Sequence, residues 1–260
     1  MKKIIITSLI SLMLAINVSA DTDGENSLSK KNPREVKDCF EGVNRVTFSF
    51  NQGLDKAIFK PVARGYRKLP SPIRSGTSNA LENISSLITI PNNILQGEFK
   101  KAGINTGRFV VNTTVGILGV FDVATKMDFP EYKKEDYGQT FGAWGIGAGC
   151  YVVLPVLGPS TVRDAIGSFV NAFGDPYYNM SVHGNNQYLD KEVYITTKTI
   201  SGIDFRAKNL ETIENLEKNS MDFYASVRSL YLQDRQQKIR NSDPTIDIMY
   251  EGDWEEVETQ

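Results

Sequence analysis

The sequence is poor in the side chains that carry most enzyme and metal chemistry. Its 260 residues include one histidine, His183, and two cysteines. One histidine excludes metal sites built from several histidines, and neither a G-x-S-x-G elbow nor a G-x-x-x-x-G-K-[ST] phosphate loop occurs. Cys150 and His183 form the one nucleophile–base pair to consider, but a lone loop histidine is more often a solvated residue. We therefore expect no catalytic residues, no cofactor and no metal ion.

An excess of charge of either sign is also missing. Lysine and arginine total 29 and aspartate and glutamate total 31, which gives a formal net charge of -2 and a pI of about 5.6. Proteins that bind nucleic acid usually carry a clear excess of basic residues. We therefore expect no nucleic-acid partner. The hydrophobic fraction of 40% is that of a globular chain with a sizeable core.

The N-terminus has the features of a secretory signal peptide. Lys2 and Lys3 precede an apolar run over 4–16, and the small residues at 18–20 form a cleavage site, so residues 1–20 are predicted to be removed. The run is shorter than the roughly 20 apolar residues of a membrane-spanning helix. No cysteine lies near the cleavage site, so we expect no lipid anchor there.

The remaining chain divides into three parts. Residues 21–37 are polar and predict a disordered lead-in, and the acidic residues 241–260 predict a loose tail. Between them, over 38–240, apolar residues recur mostly at helical spacing. Pro61 is expected to end or kink the first helix, and 91–97 predicts a short separate helix closed by glycine. The fold class is therefore mainly α, in a single multi-helix domain.

One long apolar stretch interrupts this pattern, "YGQTFGAWGIGAGCYVVLPVLGPSTV" at 137–162. It has no charged residue, but glycine and proline recur every few positions. Inside a straight helix each proline would cost about 3 kcal/mol and each glycine about 1 kcal/mol. We therefore predict that the stretch folds back as a hairpin, with "CYVVLPV" as its strand. A Gly-rich core loop of a soluble protein is the alternative, and the residues alone leave both open.

A second feature points to lipid. Residues 60–74 contain five cations and no acidic residue, namely Lys60, Arg64, Arg67, Lys68 and Arg74. Each basic residue near an anionic lipid surface contributes about 1 kcal/mol to binding. A solvated helix face is the alternative.

Arg163 stands in the first turn of a predicted helix, where the helix dipole disfavours a cation. A carboxylate, from Asp164 or Asp122, is the expected partner. A lipid phosphate is the alternative.

Several segments, in this order along the chain, resemble the MlaA/VacJ family of outer-membrane phospholipid-transport proteins. The resemblance runs from about Asp38 to Arg240. It is carried by "FEGVNRVTFSFNQGLD", "KPVARGYRKLPSPIRSGTSNALENI", "NNILQG", "RFVVNTTVGILGVFDVA", "DYGQTFGAWGIGAG", "LPVLGPSTVRDAIG" and "DFYASVRSLYLQDR".

The resemblance implies a ring-like helical domain that lies in the periplasmic leaflet of the outer membrane, with the hairpin beside a central channel. Such a protein removes mislocalised phospholipid from the outer leaflet and passes it to a periplasmic lipid-carrier protein. Its other partner is a trimeric outer-membrane porin, and it performs no covalent chemistry. A structural envelope protein that scaffolds porins without moving lipid is the alternative.

By position, the resemblance also implies roles for particular residues. The channel and hairpin would contain Gly142, Gly145, Gly147, Gly149, Tyr151, Pro155, Arg163 and Asp164. Asn51 and Asp55 would be polar positions on the first membrane-embedded helix. The five cations of residues 60–74 would face lipid headgroups.

The two cysteines have one pairing available, Cys39 with Cys150. From the residues alone, a disulfide and two small buried hydrophobic side chains are both open. The family usually has proline at both positions and a lipidated cysteine after the signal peptide, which is absent here. Two replacements of the same kind favour a disulfide between the first helix and the channel segment.

Overall fold

A computed structural model describes residues 36–175, 178 and 191–240. The predicted signal peptide, most of the lead-in, the acidic tail and His183 lie outside this part of the chain. The mainly helical fold is confirmed. The helices are α1 (Glu41–Leu54), a π-helical turn (Asp55–Phe59), α2 (Lys60–Arg67), α3 (Ser71–Leu95), α4 (Phe99–Thr114), α5 (Val123–Lys126), α6 (Tyr137–Ala143), α7 (Val162–Gly174), α8 (Lys191–Lys208), α9 (Leu210–Asn219) and α10 (Phe223–Arg240), and the strands are β1 (Tyr151–Leu154) and β2 (Gly158–Thr161).

The helix predicted to end or kink at Pro61 instead changes its hydrogen bonding just before that residue. The π-helical turn joins α1 to α2, and Pro61 occupies the first turn of α2. Proline has no N–H to donate to the preceding turn, and a wider turn at that point accommodates the missing bond. The chain therefore keeps a helical course from α1 into α2.

The separate short helix predicted at 91–97 does not form. Instead α3 continues through Pro91 to Leu95 and is followed by Gly97 at a φ of +78°. A proline inside an isolated helix costs about 3 kcal/mol. Here the residues beside it, Thr89 and Asn92, are fully buried, so packing of the last turns of α3 outweighs the lost hydrogen bond.

The helices pack with polar faces inward. In the described part of the chain, polar and charged buried side chains outnumber hydrophobic ones by more than two to one. The contact between α3 and α4 is typical, because Asn83 Nδ2 donates to Thr113 Oγ1 at 2.9 Å and Asn105 Nδ2 donates to Asn93 Oδ1 at 2.8 Å. Large hydrophobic side chains lie mainly on the exposed faces. This is the reverse of the usual arrangement in water-soluble proteins.

The apolar stretch folds back as an antiparallel hairpin. Tyr151 of β1 lies opposite Thr161 of β2, and Leu154 lies opposite Gly158 next to the turn. Tyr151 is fully buried and packs against Tyr224 of α10 in a small hydrophobic cluster. The strand within "CYVVLPV" is thus where the sequence places it.

Candidate functional site

The Gly-rich segment before the hairpin, residues 142–149, lies largely at the surface. Gly145 and Gly149 adopt φ values of +85° and +70°, which favour glycine, and they turn the chain from α6 towards β1. Trp144 is 54% exposed, and its indole Nε1 donates to the carbonyl of Leu95 at 2.9 Å. At the hairpin turn Leu157 is 75% exposed. Apolar side chains therefore point outward on both sides of the segment.

The exposed surface also includes Gly147 and Pro155, whereas Gly142 contacts the last described helix. A β-carbon at Gly142 would lie 2.7 Å from Cδ1 of Ile239 in α10. A side chain at this position would therefore displace Ile239 of α10.

Two asparagines of α1 attach this helix to the hairpin. Asn44 Nδ2 donates to the carbonyl of Tyr151 at 3.0 Å, and its Oδ1 accepts from the N–H of Val153 at 2.9 Å. Two turns later, Asn51 Nδ2 donates to the carbonyl of Leu154 at 2.9 Å, and its Oδ1 accepts from the N–H of Val156 at 2.7 Å. Each side-chain amide takes the place of a neighbouring strand. Asn51 is thus a support for the hairpin.

We expect Asn51→Leu to loosen the hairpin turn. It removes two hydrogen bonds, and a net loss of about 1–2 kcal/mol in the free energy of unfolding follows. The amide of Val156 should exchange with deuterium faster because its acceptor is gone. Ser49→Leu, at an exposed position of the same helix, is the control. Unchanged exchange at Val156 would show that Asn51 does not hold the turn.

The second polar position of the first helix also has a fixed partner. The Asp55 carboxylate accepts two hydrogen bonds from Arg206 of α8, at 2.7 and 2.9 Å. This two-point geometry is the strongest that arginine and a carboxylate form. Asp55 therefore ties the π-helical turn to α8.

Cys39 and Cys150 form a disulfide, with their Cα atoms 5.6 Å apart. It joins the residues before α1 to the end of the Gly-rich segment, beside the contacts that Asn44 makes. Cys150 therefore has no free thiol, which removes the one candidate nucleophile. The described residues also contain no group of three or more His, Cys, Asp or Glu side chains arranged to hold a metal ion.

Arg163 is buried and paired with a carboxylate. Its Nε donates to Asp164 Oδ1 at 3.0 Å, while Asp122 pairs with Arg108 instead. Asp164 also accepts from Tyr231 at 2.8 Å and from Arg235 at 3.2 Å. A buried cluster of charges thus joins the start of α7 to α10.

Arg235 extends the same cluster to α6. It donates to both carboxylate oxygens of Asp136, at 2.6 and 2.7 Å, and Asp136 caps α6 by accepting from the N–H of Gln139. Burial alone would raise the pKa of Asp136, but the hydrogen bonds and charge of Arg235 outweigh it and lower the pKa to about 2. Asp136 is therefore ionised at neutral pH, and three helices meet at one arginine.

Three of the five cations of residues 60–74, for which the family resemblance implies contact with lipid headgroups, have carboxylate partners within the protein. Lys60 and Arg64 pair with Glu214 of α9 at 3.2 and 2.9 Å, and Arg67 pairs with Glu211. The glutamates of α9 recur every three residues and follow the basic face of α2. Such exposed pairs contribute about 0.2–1 kcal/mol each.

The other two cations of this segment differ from them. Lys68 is exposed, and neither Lys68 nor Arg74 pairs with a carboxylate of the described residues. These two remain available to an external anion.

Two neighbouring polar pockets along α3 were not predicted from the sequence. The wide pocket has a volume of about 300 Å³ and is lined by Tyr66, Ser71, Arg74, Ser75, Ser78, Asn79, Glu82, Asp204, Ala207 and Lys208. The narrow pocket, about 10 Å³, is lined by Asn79, Glu82, Asn83, Ser86, Arg108, Asn112, Asp122 and Tyr132. It has room for about one water molecule. The two pockets share Asn79 and Glu82, so polar groups follow α3 from one to the other.

The narrow pocket is held by a dense hydrogen-bond network around Asp122. Arg108 donates to both carboxylate oxygens at 3.0 and 2.9 Å, and Asn112 Nδ2 donates at 3.0 Å. Burial alone would raise the pKa of Asp122, but hydrogen bonds from Thr125 and Asn112 and the charge of Arg108 lower it. The wall therefore keeps a fixed negative charge balanced by Arg108.

A third polar cluster surrounds Glu135, which is buried between α3 and α6. Gln96 Nε2 donates to Glu135 Oε2 at 3.1 Å, and the N–H of Glu135 donates to Thr89 Oγ1 at 3.2 Å. Burial raises the pKa of Glu135 to about 7, because the hydrogen bond from Gln96 compensates only part of the desolvation. The side chain is thus near half protonation at neutral pH.

We expect Glu135→Gln to remove a pH dependence of stability. Between the ordinary glutamate pKa of 4.5 and about 7, the folded state binds more protons at this site than the unfolded state, so the free energy of unfolding falls as pH rises. Relative to the wild type, the free energy of unfolding of the variant should be higher by up to about 3 kcal/mol at pH 8 and no higher below pH 4.5. The size follows because a shift of one pKa unit corresponds to about 1.4 kcal/mol. Denaturant unfolding at both pH values measures this. The exposed Glu131→Gln is the control, and equal effects of the two variants would contradict the assignment.

Comparison with known proteins confirms the resemblance. A family model described as MlaA lipoprotein matches residues 36–238. A Haemophilus influenzae protein named intermembrane phospholipid transport system lipoprotein MlaA is 29% identical over 243 residues, 92% of this chain and 91% of that protein. The Escherichia coli protein of the same name is 34% identical over 201 residues, 75% of this chain and 76% of that protein.

A solved structure from work on the structural basis for maintenance of bacterial outer membrane lipid asymmetry has the same fold. The TM-score is 0.67 at 32% identity, over 78% of this chain and 99% of the other. Among the described residues of this chain, no helix combines the length and apolar character needed to cross a bilayer. The match of the family model over most of the chain, together with this structural likeness, shows that the chain belongs to the MlaA family.

Proposed function

We propose that this protein moves phospholipid between membranes of the cell envelope without enzymatic chemistry, while lying in the periplasmic leaflet of the outer membrane. The observation that carries the proposal is the inverted packing, with polar side chains buried and large apolar side chains exposed. The relatives from Haemophilus influenzae and Escherichia coli, named as phospholipid transport proteins, support the same function.

The exposed apolar surface is extensive. On α1 the outward residues Val43, Val46 and Phe50 are each more than half exposed and recur at helical spacing. The loop between α4 and α5 exposes Val115, Ile117, Leu118, Val120 and Phe121. Exposed apolar area costs about 25 cal/mol per Å² in water, and contact with acyl chains removes this cost. A leaflet of lipid is therefore the solvent that fits this surface.

The polar interior fits the same location. Irregular backbone at membrane depth is tolerated only where protein covers it or water reaches it. The asparagines of α1 cover the hairpin backbone in this way. The pockets along α3 supply polar groups on which a lipid headgroup can rest while its acyl chains remain in the apolar surroundings.

In this proposal the hairpin and its glycines lie beside a central channel, and phospholipid leaves the outer leaflet passively through it. A periplasmic lipid carrier receives the lipid, and a trimeric porin holds the protein in the outer membrane. Both partners, the ring-like arrangement and the channel follow from the family resemblance.

The proposal is tested with a variant that fills the space shared by the two pockets. In cells that lack the native protein, the amount of phospholipid in the outer leaflet should rise, and the wild-type chain should return it to the normal low level. Asn79→Phe should fail to lower it, although the variant protein is present in the outer membrane in the same amount as the wild type. Gln237→Phe, at an exposed position of α10, should lower it as the wild type does.

A scaffold that holds porins without moving lipid predicts a different outcome. In that case deletion leaves outer-leaflet phospholipid unchanged, and purified protein carries no lipid. Either result would overturn the transport proposal.

A further inference from the structure

We infer that the wide pocket binds the zwitterionic phosphoethanolamine headgroup of a phospholipid, with Arg74 on the phosphate and Glu82 on the ammonium. The inference rests on the proposed function and specifies the class of lipid that it selects. It starts from the charges that line the pocket and from which of them already have partners inside the protein.

One face of α3 forms a wall of the pocket. Arg74, Ser78 and Glu82 are four residues apart and therefore lie in a row on that face. Eight residues of helix place the two charged ends about 12 Å apart between their Cα atoms, and both side chains are long enough to reach towards the middle. Asp204, Ala207 and Lys208 of α8 line the same pocket.

The end of the row near the start of α3 is cationic. Arg74 Nε donates to the carbonyl of Leu69 at 3.1 Å, and Arg74 makes no ion pair within the described residues. The terminal nitrogens of its guanidinium group are therefore available, and their planar arrangement matches two phosphate oxygens. The hydroxyl groups of Ser71 and Ser75 line the same part of the pocket and can donate to the remaining oxygens.

The middle of the pocket is already satisfied within the protein. The Asp204 carboxylate accepts from Ser78 at 2.8 and 2.9 Å and from Tyr66 at 3.1 Å, and it pairs with Lys208 at 3.2 Å. The side chain of Asp204 is 9% exposed. It therefore acts as a fixed internal counter-charge.

Glu82, at the other end, is held only loosely. Among the described residues its one ion pair is with Lys208 at 3.6 Å, and Lys208 lies closer to Asp204. The side chain of Glu82 is half exposed. Its carboxylate is thus the acceptor in this pocket that an external ammonium group can reach.

The lining as a whole selects for a ligand with both charges. Arg74 and Lys208 balance Glu82 and Asp204, so the pocket carries no net charge. A purely anionic headgroup would leave Glu82 with only its long contact to Lys208 and would bring negative charge close to it, which disfavours such a ligand. The volume of about 300 Å³ is at the lower end of the range for small-molecule sites, which suits a headgroup more than a whole two-chain lipid.

The test measures which lipid the full-length protein retains. Protein is equilibrated with vesicles of equimolar phosphatidylethanolamine and phosphatidylglycerol, and bound lipid is quantified by mass spectrometry. We expect the wild type to enrich phosphatidylethanolamine about threefold or more, as a weak exposed charge contact allows. Glu82→Gln should abolish the enrichment without changing total bound lipid, and Arg74→Gln should lower binding of both lipids.

Matched controls come from the exposed pair between Asp234 and Lys238 on α10, which lies outside the pocket and outside residues 60–74. Asp234→Asn and Lys238→Gln likewise remove one carboxylate and one cation and should keep the wild-type ratio. An unchanged ratio in Glu82→Gln, or no preference in the wild type, would overturn the inference and leave the proposed function intact. Absence of any bound lipid in the wild type would overturn the proposed function itself.

A competition experiment distinguishes a site for a lipid headgroup from a site for any free anion. Soluble glycerophosphoethanolamine should displace bound phosphatidylethanolamine, and inorganic phosphate at the same concentration should not. Equal displacement by both would show that the pocket is a simple anion site, which contradicts the inference.

Discussion

Replacing both Cys39 and Cys150 by serine is expected to lower the free energy of unfolding by about 3–5 kcal/mol. The disulfide joins residues 111 positions apart, and so long a loop loses much conformational freedom in the unfolded state when it is closed. At about 2–4 °C per kcal/mol for a domain of this size, the melting temperature in detergent should fall by about 10 °C. Chemical or thermal unfolding of the two proteins measures the difference.

The folded geometry should survive this change because other contacts hold the same junction. Asn44 and Asn51 still attach α1 to the hairpin, and Tyr151 N–H still donates to the carbonyl of Lys37 at 2.8 Å. The variant should therefore retain bound lipid at low temperature. A reducing agent should destabilise the wild type and leave the double-serine variant unaffected. Equal stability of the two oxidised proteins would contradict the predicted role of the disulfide.

The second large effect is expected from Asp164→Ala, with a loss of about 3–5 kcal/mol. Asp164 is buried and pairs with Arg163 and Arg235, so its removal leaves the buried Arg163 without this carboxylate and Arg235 with Asp136 alone. Removing one member of a buried ion pair costs far more than the pair contributes, because the remaining charge stays desolvated. Denaturant unfolding at neutral pH measures the loss.

The control for this prediction is a pair of the same chemistry at the surface. Asp234 and Lys238 of α10 are 2.7 Å apart, and both side chains are about half exposed. Asp234→Ala should therefore cost less than about 1 kcal/mol. A similarly small cost for Asp164→Ala would mean that the cluster joining α6, α7 and α10 does not stabilise the fold.

Local features of the fold were predictable because they depend on neighbours in sequence. Helical spacing predicted the helices, including the one whose first turn contains Arg163. The cap of that helix, α7, is equally local, because Thr161 Oγ1 accepts from the N–H of Asp164 at 3.2 Å. Burial of Thr89 and Asn92 near the end of α3 is a tertiary effect, so the continuation of that helix through Pro91 was not predicted.

The polar pockets were missed for a different reason. The small polar residues Ser71, Ser75, Ser78 and Asn79 recur at helical spacing, but such a pattern does not tell which face of a helix meets solvent. In water the apolar face would be buried, whereas here Ile73 is exposed and Ser78 is buried. Only the surrounding solvent decides this, and a sequence does not contain it.

Contacts between segments that are distant in sequence could not be predicted from the sequence either. The asparagines of α1 bind a hairpin more than 100 residues away, and α9 supplies the glutamates for the basic face of α2 about 150 residues before it. Periodicity reports nothing about such pairs. The disulfide was favoured because this chain has cysteine at two positions where the family usually has proline.

The central claim is that the apolar outer surface lies among acyl chains, and fluorescence quenching tests it most directly. In a background with Trp144 and Trp254 replaced by phenylalanine, single tryptophans are introduced as Phe50→Trp, Phe169→Trp and, as a control on a polar exposed position, Lys218→Trp. Phe50 and Phe169 are 57% and 66% exposed. The protein is reconstituted in bilayers with brominated acyl chains, and acrylamide is the aqueous quencher.

The account predicts strong quenching by bromine and weak quenching by acrylamide at positions 50 and 169, with the opposite result at position 218. Acyl chains that surround the first two side chains would exclude the aqueous quencher. If acrylamide reaches all three positions equally and brominated lipid quenches none of them, the apolar surface does not lie in the membrane and the account is wrong.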